Sequence, residues 1–132
     1  MPHLVIQYSA NLEQKINVPE LCQALSQEIL AQQDEQGNRV FPIGGTRVLA
    51  YPAAHYVIAD GQGDYGFMYF NFRITAGRPP ALIKQIGDAL RAVIQQHVNP
   101  VFEQATIGYT LQIDEGPEVY DAKEGNLRQV FA

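Results

Sequence analysis

Hydrophobic and polar residues alternate from the third residue of the chain onward, which is the pattern of a half-buried β-strand. In residues 3–9, Leu4, Ile6 and Tyr8 fall on one face of the predicted strand. Pro2 stands at its start, where a missing backbone N–H disturbs a sheet least. The sequence therefore predicts a first strand that begins almost at the amino terminus.

Three further segments have the character of strands. They are residues 46–51, the aromatic-rich residues 65–75, and residues 107–113, whose alternation is the clearest in the chain. Pro52 limits the second strand, and Tyr56–Ile58 is a candidate for its continuation. The turn residues 59–64 then separate it from the third strand.

Two segments show helical spacing instead. Asn17 is a helix cap followed by Pro19 in the first turn, and the apolar positions after it recur at steps of three and four. A polar stretch at 31–38 ends this helix. The second helix opens after the sequence Gly77-Arg78-Pro79-Pro80 and carries the longer apolar stripe, made of Leu82, Ile83, Ile86, Leu90, Val93, Ile94 and His97.

The order strand, helix, strand, strand, helix, strand predicts an α+β domain built from two βαβ units. Right-handed crossovers place both helices on one face of a four-stranded mixed sheet. Because both sides of the third strand are apolar, the other face also needs cover, which predicts an oligomer. We expect residues 1–132 to form one domain, with the weakly patterned tail 115–132 packed on a neighbouring subunit.

Charge and composition exclude several classes of partner. The formal net charge is −5 and the nine Lys and Arg residues are scattered, which argues against nucleic-acid binding. No apolar run approaches the length of a membrane span, and no secretory signal pattern is present, so we expect a cytoplasmic protein. Cys22 is the only cysteine, which excludes an internal disulfide, and the three histidines lack zinc-ligand spacing.

Pro2 is the first candidate for chemistry. Removal of the initiator methionine leaves proline with a free secondary amine at the head of a strand. A free α-amino group has a reference pKa of about 7.7–8.0, and burial or a nearby arginine lowers it. An amine that is neutral near pH 7 suits proton abstraction next to a carbonyl.

Several motifs, in order and at similar spacing, resemble the 5-carboxymethyl-2-hydroxymuconate isomerases of the amino-terminal-proline tautomerase superfamily. They are MPHLVIQYSANLE at the amino terminus, FPIGGTR at 41–47, ADGQGDY at 59–65 and AGRP at 76–79. The resemblance covers nearly the whole chain. It implies the βαββαβ tautomerase fold, a homotrimer, and a reaction without cofactor or metal that moves a proton along a conjugated dienol acid.

The resemblance also implies roles for three residues. Pro2 would be the catalytic base, and Arg47 and Arg78 match arginine positions of the family that bind substrate. A guanidinium grips a carboxylate through two parallel hydrogen bonds, and a carboxylate at Arg78 would also meet the start of the second helix. Alternation points His3 away from Pro2, which favours a structural role for it. His55 is a weaker pocket candidate and His97 a core or interface residue.

Some positions depart from the family pattern. Gln7 stands where glutamate is frequent, the segment before Phe41 is longer, and Arg128 stands where histidine is expected. Two alternatives stay open at this point: a non-catalytic ferredoxin-like module that binds a small acid, and another tautomerase-superfamily enzyme such as a dehalogenase or decarboxylase.

Overall fold

The structure, a computed structural model, describes residues 2–131. Within that range the chain forms four strands and two α-helices in the order β1 (His3–Ser9), α1 (Val18–Ala31), β2 (Arg47–Ala53), β3 (Tyr65–Ile74), α2 (Pro80–Val98) and β4 (Thr106–Glu115). Short 3₁₀ turns lie between these elements, among them Ile43–Gly45 before β2 and Leu127–Phe131 in the tail. The predicted βαββαβ order is confirmed.

The strands form one mixed sheet in the spatial order β2-β1-β3-β4. β1 pairs with β2 in parallel, β3 pairs with β4 in parallel, and β1 and β3 meet antiparallel at the centre. Each parallel pair is joined through one helix, because parallel strands need a long crossover. The sheet therefore consists of two βαβ units placed side by side.

The core lies between the helices and one face of the sheet. Alternate residues of β1 and β3 point into it, and they are buried together with the apolar stripes of both helices: Leu4, Ile6, Tyr8, Met68, Phe70, Phe72, Ile74, Leu21, Leu25, Ile29, Ile86, Leu90, Ile94 and Val98. Both helices lie on this one face, as right-handed crossovers predicted.

Each helix starts as its sequence predicts. Asn17 caps α1, because its side-chain oxygen accepts a hydrogen bond of 3.1 Å from the backbone N–H of Glu20. α2 begins at Pro80, with Pro79 as its cap residue, and continues to Val98. Because Pro79 and Pro80 have no N–H, the start of α2 offers a carboxylate fewer donors than an ordinary helix start does.

The second strand differs from its prediction. β2 runs through Pro52 to Ala53, and Tyr56–Ile58 forms no strand, so the predicted continuation was wrong. The reason is that β2 is an edge strand. An N–H missing at Pro52 costs little where one side of the strand has no neighbour.

The sheet face away from the helices carries apolar side chains at its β2 edge. Leu49 and Tyr51 of β2 are 46% and 53% exposed. Val5 and Tyr69 continue the face on β1 and β3, where both are half-buried. We call this surface, formed by Val5, Leu49, Tyr51, Phe67 and Tyr69, the open sheet face.

The tail lies partly on its own chain. In the 3₁₀ turn Leu127–Phe131, Arg128 and Phe131 contact the turn Ile43–Gly45. Other apolar residues of the tail are exposed: Val119 is fully exposed and Tyr120 is 76% exposed. Packing of residues 115–132 on a neighbouring subunit stays a prediction.

Candidate active site

The amino-terminal end of β1 brings Pro2 and Arg47 together. Pro2 is buried, and its carbonyl oxygen accepts a hydrogen bond of 3.2 Å from the backbone N–H of Arg47. This bond extends the parallel ladder between β1 and β2 by one position beyond its first register pair, His3 with Arg47. The candidate base and one candidate anchor are therefore joined through the backbone.

Strand register places two arginines beside His3. His3 pairs with Arg47 on β2 and with Arg73 on β3. Because directly paired residues project to the same side of a sheet, the three side chains lie in a row across three strands, on the face away from the helices. The alternation of residues along β1 predicts that His3 lies on this face. It does not predict that His3 has one arginine on each side, because that depends on the register of the neighbouring strands.

A cavity of about 470 Å³ opens at this row of side chains. Its walls come from the ends of β1, β2 and β3, from the Ile43–Gly45 turn and from the tail. Its lining includes His3 and seven charged residues of both signs: Arg47, Arg73, Glu118, Asp121, Lys123, Glu124 and Arg128. We call it the strand-end cavity.

A hydrogen bond joins His3 to Arg47 in the wall of this cavity. The Arg47 guanidinium lies 2.6 Å from Nε2 of the imidazole. A guanidinium is only a donor, so Nε2 accepts and His3 is neutral in this arrangement. Burial lowers the pKa of His3 below its ordinary value, and the positive charges of Arg47 and Arg73 lower it further.

Glycines make room for the other cations of the cavity. A Cβ at Gly116 would lie only 2.2 Å from the Arg73 guanidinium, and one at Gly44 would lie 3.1 Å from the Arg128 side chain. Both arginines therefore rest against bare backbone. Sequence reasoning did not select Arg73 or Arg128 as site residues, because their place here depends on strand register and on the path of the tail.

Arg78 lies in a different part of the chain. Its guanidinium carbon is 4.9 Å from the centre of the Phe41 ring, and Nη1 donates a hydrogen bond of 2.8 Å to the carbonyl oxygen of Thr75. Burial lowers the pKa of the guanidinium, while the Glu115 carboxylate acts in the opposite direction. An arginine stays charged under these conditions.

The cavity around Arg78 has a volume of about 460 Å³ and shares no lining residue with the strand-end cavity. Its lining is Asp34, Glu35, Gln36, Arg39, Val40, Arg78, Pro79, Ala81, Leu82 and Gln85. Within one chain, the structure thus joins Pro2 to Arg47 but places Arg78 in a second cavity.

The remaining candidates lie outside these arrangements. His55 is exposed in the loop after β2. His97 contacts the carbonyl oxygen of Val93 through Nδ1 at 3.0 Å, as in a helix side chain bonded to its preceding turn. Among residues 2–131, no group of three His, Cys, Asp or Glu side chains could hold a metal ion, and no helix is long and apolar enough to cross a membrane.

A βαββαβ sheet with a proline at the head of its first strand, hydrogen-bonded to an arginine that lines the strand-end cavity, defines an isomerase of the tautomerase class. Comparison with known proteins makes this more specific. Residues 2–131 match the sequence profile of the family described as 5-carboxymethyl-2-hydroxymuconate isomerase. The chain belongs to the 5-carboxymethyl-2-hydroxymuconate isomerase family.

Individual relatives match this chain over more than nine-tenths of their length. The chain is 25% identical to the 5-carboxymethyl-2-hydroxymuconate Delta-isomerase of Escherichia coli, over 99% of both chains. A crystal structure of a 5-carboxymethyl-2-hydroxymuconate delta-isomerase has 45% identity and a TM-score of 0.95, covering 100% of this chain and 93% of that one. A 5-carboxymethyl-2-hydroxymuconate isomerase from Deinococcus radiodurans R1 has 32% identity and a TM-score of 0.85, covering 99% and 94%.

Proposed function

We propose that the protein isomerises a dienol acid of the 2-hydroxymuconate type, with the amine of Pro2 as its base and without a cofactor. The hydrogen bond between the Pro2 carbonyl and the Arg47 N–H supports this most directly, because it fixes the residue that carries the base next to a substrate anchor, Arg47, which itself lines the strand-end cavity. Membership of an isomerase family disfavours a non-catalytic ferredoxin-like module.

The chemistry follows from the groups at the site. After removal of Met1, the neutral secondary amine takes the proton of the 2-hydroxyl group, which leaves a dienolate and an ammonium ion. The ammonium then returns a proton to the far carbon of the diene, giving the 2-oxo-3-ene product and restoring the amine. Nearby guanidinium groups stabilise the negative charge of the dienolate.

Arg47 and Arg78 are the proposed carboxylate anchors. Each guanidinium offers a planar fork that matches a carboxylate. Arg47, whose backbone is hydrogen-bonded to Pro2, lines the strand-end cavity, whereas Arg78 lines the second cavity. Because one chain keeps the two cavities apart, we infer that the working site is completed across a subunit boundary.

We propose a homotrimer in which neighbouring chains cover the open sheet face and the tail. Leu49 and Tyr51 are about half exposed on that face, and Val119 and Tyr120 are largely exposed in the tail. Apolar surface of this kind marks a protein interface.

The lone Cys22, half-buried with no disulfide partner in residues 2–131, fits a cytoplasmic protein.

The proposal is tested with the mature protein and a 2-hydroxymuconate dienol, by following the loss of the dienol absorbance. We expect rapid conversion to the 2-oxo-3-ene isomer in metal-free buffer with chelator. Conversion no faster than in buffer alone, by protein whose mass shows Pro2 at the amino terminus, would rule the proposal out.

A further inference from the structure

His3 is tied to a candidate anchor but takes no part in the proton transfer described above. Its Nε2 lies 2.6 Å from the Arg47 guanidinium, and the two residues are direct partners in the register of β1 and β2. Both side chains are half-buried in the wall of the strand-end cavity. The contact therefore joins two neighbouring backbones of the sheet, and it limits where the guanidinium can point.

This contact requires an uncharged imidazole. The guanidinium has five N–H donors and no acceptor, so the lone pair must come from His3 Nε2 and the ring proton must be on Nδ1. An imidazolium has no lone pair to give. It would also place a second positive charge next to Arg47, so protonation of His3 would release the guanidinium.

Charged groups from three parts of the chain face His3. Arg47 on β2 and Arg73 on β3 lie on its two sides and favour the neutral ring. The tail adds charges of both signs to the same cavity: Glu118, Asp121, Lys123, Glu124 and Arg128. Asp121 forms a salt bridge with Lys123, so the positive charge of Lys123 offsets part of the negative charge that the tail brings near His3.

We propose that His3 is a positioning residue whose neutral ring holds the Arg47 guanidinium in the wall of the cavity, so that a substrate carboxylate meets an oriented planar fork. The inference rests on the proposed function, because it takes Arg47 to be a substrate anchor. In this role His3 acts through the Arg47 guanidinium. Its effect is on carboxylate binding rather than on proton transfer.

The direction of the pH effect follows. Carboxylate binding is strongest where His3 is neutral and weakens as the pH falls through the lowered pKa of this ring. KM and the dissociation constant of a carboxylate ligand should both rise on the acidic side. A protonated Pro2 lowers kcat over an overlapping range, so ligand binding separates the two groups better than turnover does.

The experiment compares His3→Leu and His3→Gln with the parent, using adipate as a saturated dicarboxylate probe that cannot isomerise. The Gln amide oxygen can accept from Arg47 as Nε2 does, whereas Leu cannot. His55→Gln is the control, because His55 is exposed in a loop. Adipate binding is measured by calorimetry from about pH 5.5 to about pH 8.5, and KM and kcat are measured with the dienol.

We expect His3→Leu to weaken adipate binding and raise KM by about tenfold at neutral pH, the size of one charge-assisted hydrogen bond. His3→Gln should stay within about threefold of the parent and lose most of the acidic weakening, since glutamine does not titrate. His55→Gln should behave as the parent. Thermal unfolding of each variant verifies that it is folded.

The inference is overturned if His3→Leu binds adipate as the parent does, if binding by the parent is independent of pH over this range, or if the parent binds no adipate at neutral pH. Absence of turnover by the parent would instead contradict the proposed function. The calorimetric result with adipate decides the role of His3 in either case.

Discussion

The backbone N–H of Arg47 donates a hydrogen bond to the carbonyl oxygen of Pro2 across 3.2 Å. The bond lies at the amino-terminal ends of β1 and β2, next to the first register pair of their parallel ladder, His3 with Arg47. It means that the amino-terminal residue is held by β2 as well as by its own strand. A base at a chain terminus is useful only if its position is fixed, and this bond supplies a fixed point within the same residue as the amine.

Replacement of the Arg47 guanidinium should weaken the site without unfolding the sheet. We expect Arg47→Gln to lower kcat/KM by about 10²-fold, because the variant loses a charged donor aimed at substrate. Its backbone bond to Pro2 remains, so the unfolding temperature should change little. Steady-state kinetics with the dienol provide the measurement, and Arg91→Gln, an exposed arginine on α2, is the control. Equal losses in both variants would argue against a specific role for Arg47.

Arg78 should matter through its charge rather than through its packing. Arg78→Met keeps an unbranched side chain over the Phe41 ring but removes the guanidinium. We expect kcat/KM to fall by about 10²-fold, with a change in unfolding free energy of about 1 kcal/mol or less. Arg39→Gln is the matched control, since Arg39 lines the same cavity and likewise donates to a backbone carbonyl at 2.8 Å. Full activity of Arg78→Met would remove Arg78 from the site.

Gly116→Ala should displace Arg73 from the strand-end cavity. The new Cβ would lie 2.2 Å from the guanidinium, which is the movable end of a long, exposed side chain. The fold should therefore persist, and KM should rise by about tenfold if Arg73 assists carboxylate binding. Combining Gly116→Ala with Arg73→Ala should add nothing to Arg73→Ala alone. If the double variant has a higher KM than Arg73→Ala alone, Gly116→Ala acts on something other than Arg73.

A charge on the open sheet face should break the oligomer. Tyr51→Glu places a carboxylate on a surface that the proposed trimer covers, and an unpaired buried charge costs several kcal/mol. Light scattering should then show a shift from trimer to monomer, together with loss of activity. Gln96→Glu, on the exposed side of α2, should leave both unchanged. A parent protein that is already monomeric at micromolar concentration would contradict the trimer itself.

Strong periodicity made most of the fold predictable. β1 was predicted at its observed bounds, and β3 and β4 were predicted within a few residues, because apolar alternation and helix-facing burial coincide in them. The starts of both helices followed from Asn17 and from the paired prolines. The end of β2 was mispredicted, because Pro52 is tolerated only in an edge strand, and position within a sheet is not visible in local sequence.

The candidate site was less predictable than the fold. Pro2, Arg47 and Arg78 came from chemistry and from resemblance to a family, and the structure joins only the first two within one chain. Pairing of His3 with Arg47 and Arg73 depends on strand register, which alternation alone does not specify. Arg128 reaches the cavity through the path of the tail, where the sequence carries little pattern.

The most direct test concerns the Pro2 nitrogen. One preparation has Met1 removed, a second retains it, and intact mass distinguishes them; a third carries Pro2→Ala with Met1 removed. We expect kcat/KM to be high only in the first, lower by about 10²- to 10⁴-fold in Pro2→Ala, and near the uncatalysed rate where Met1 makes the nitrogen an amide. Equal activity with Met1 retained would contradict the assignment of Pro2 as the base.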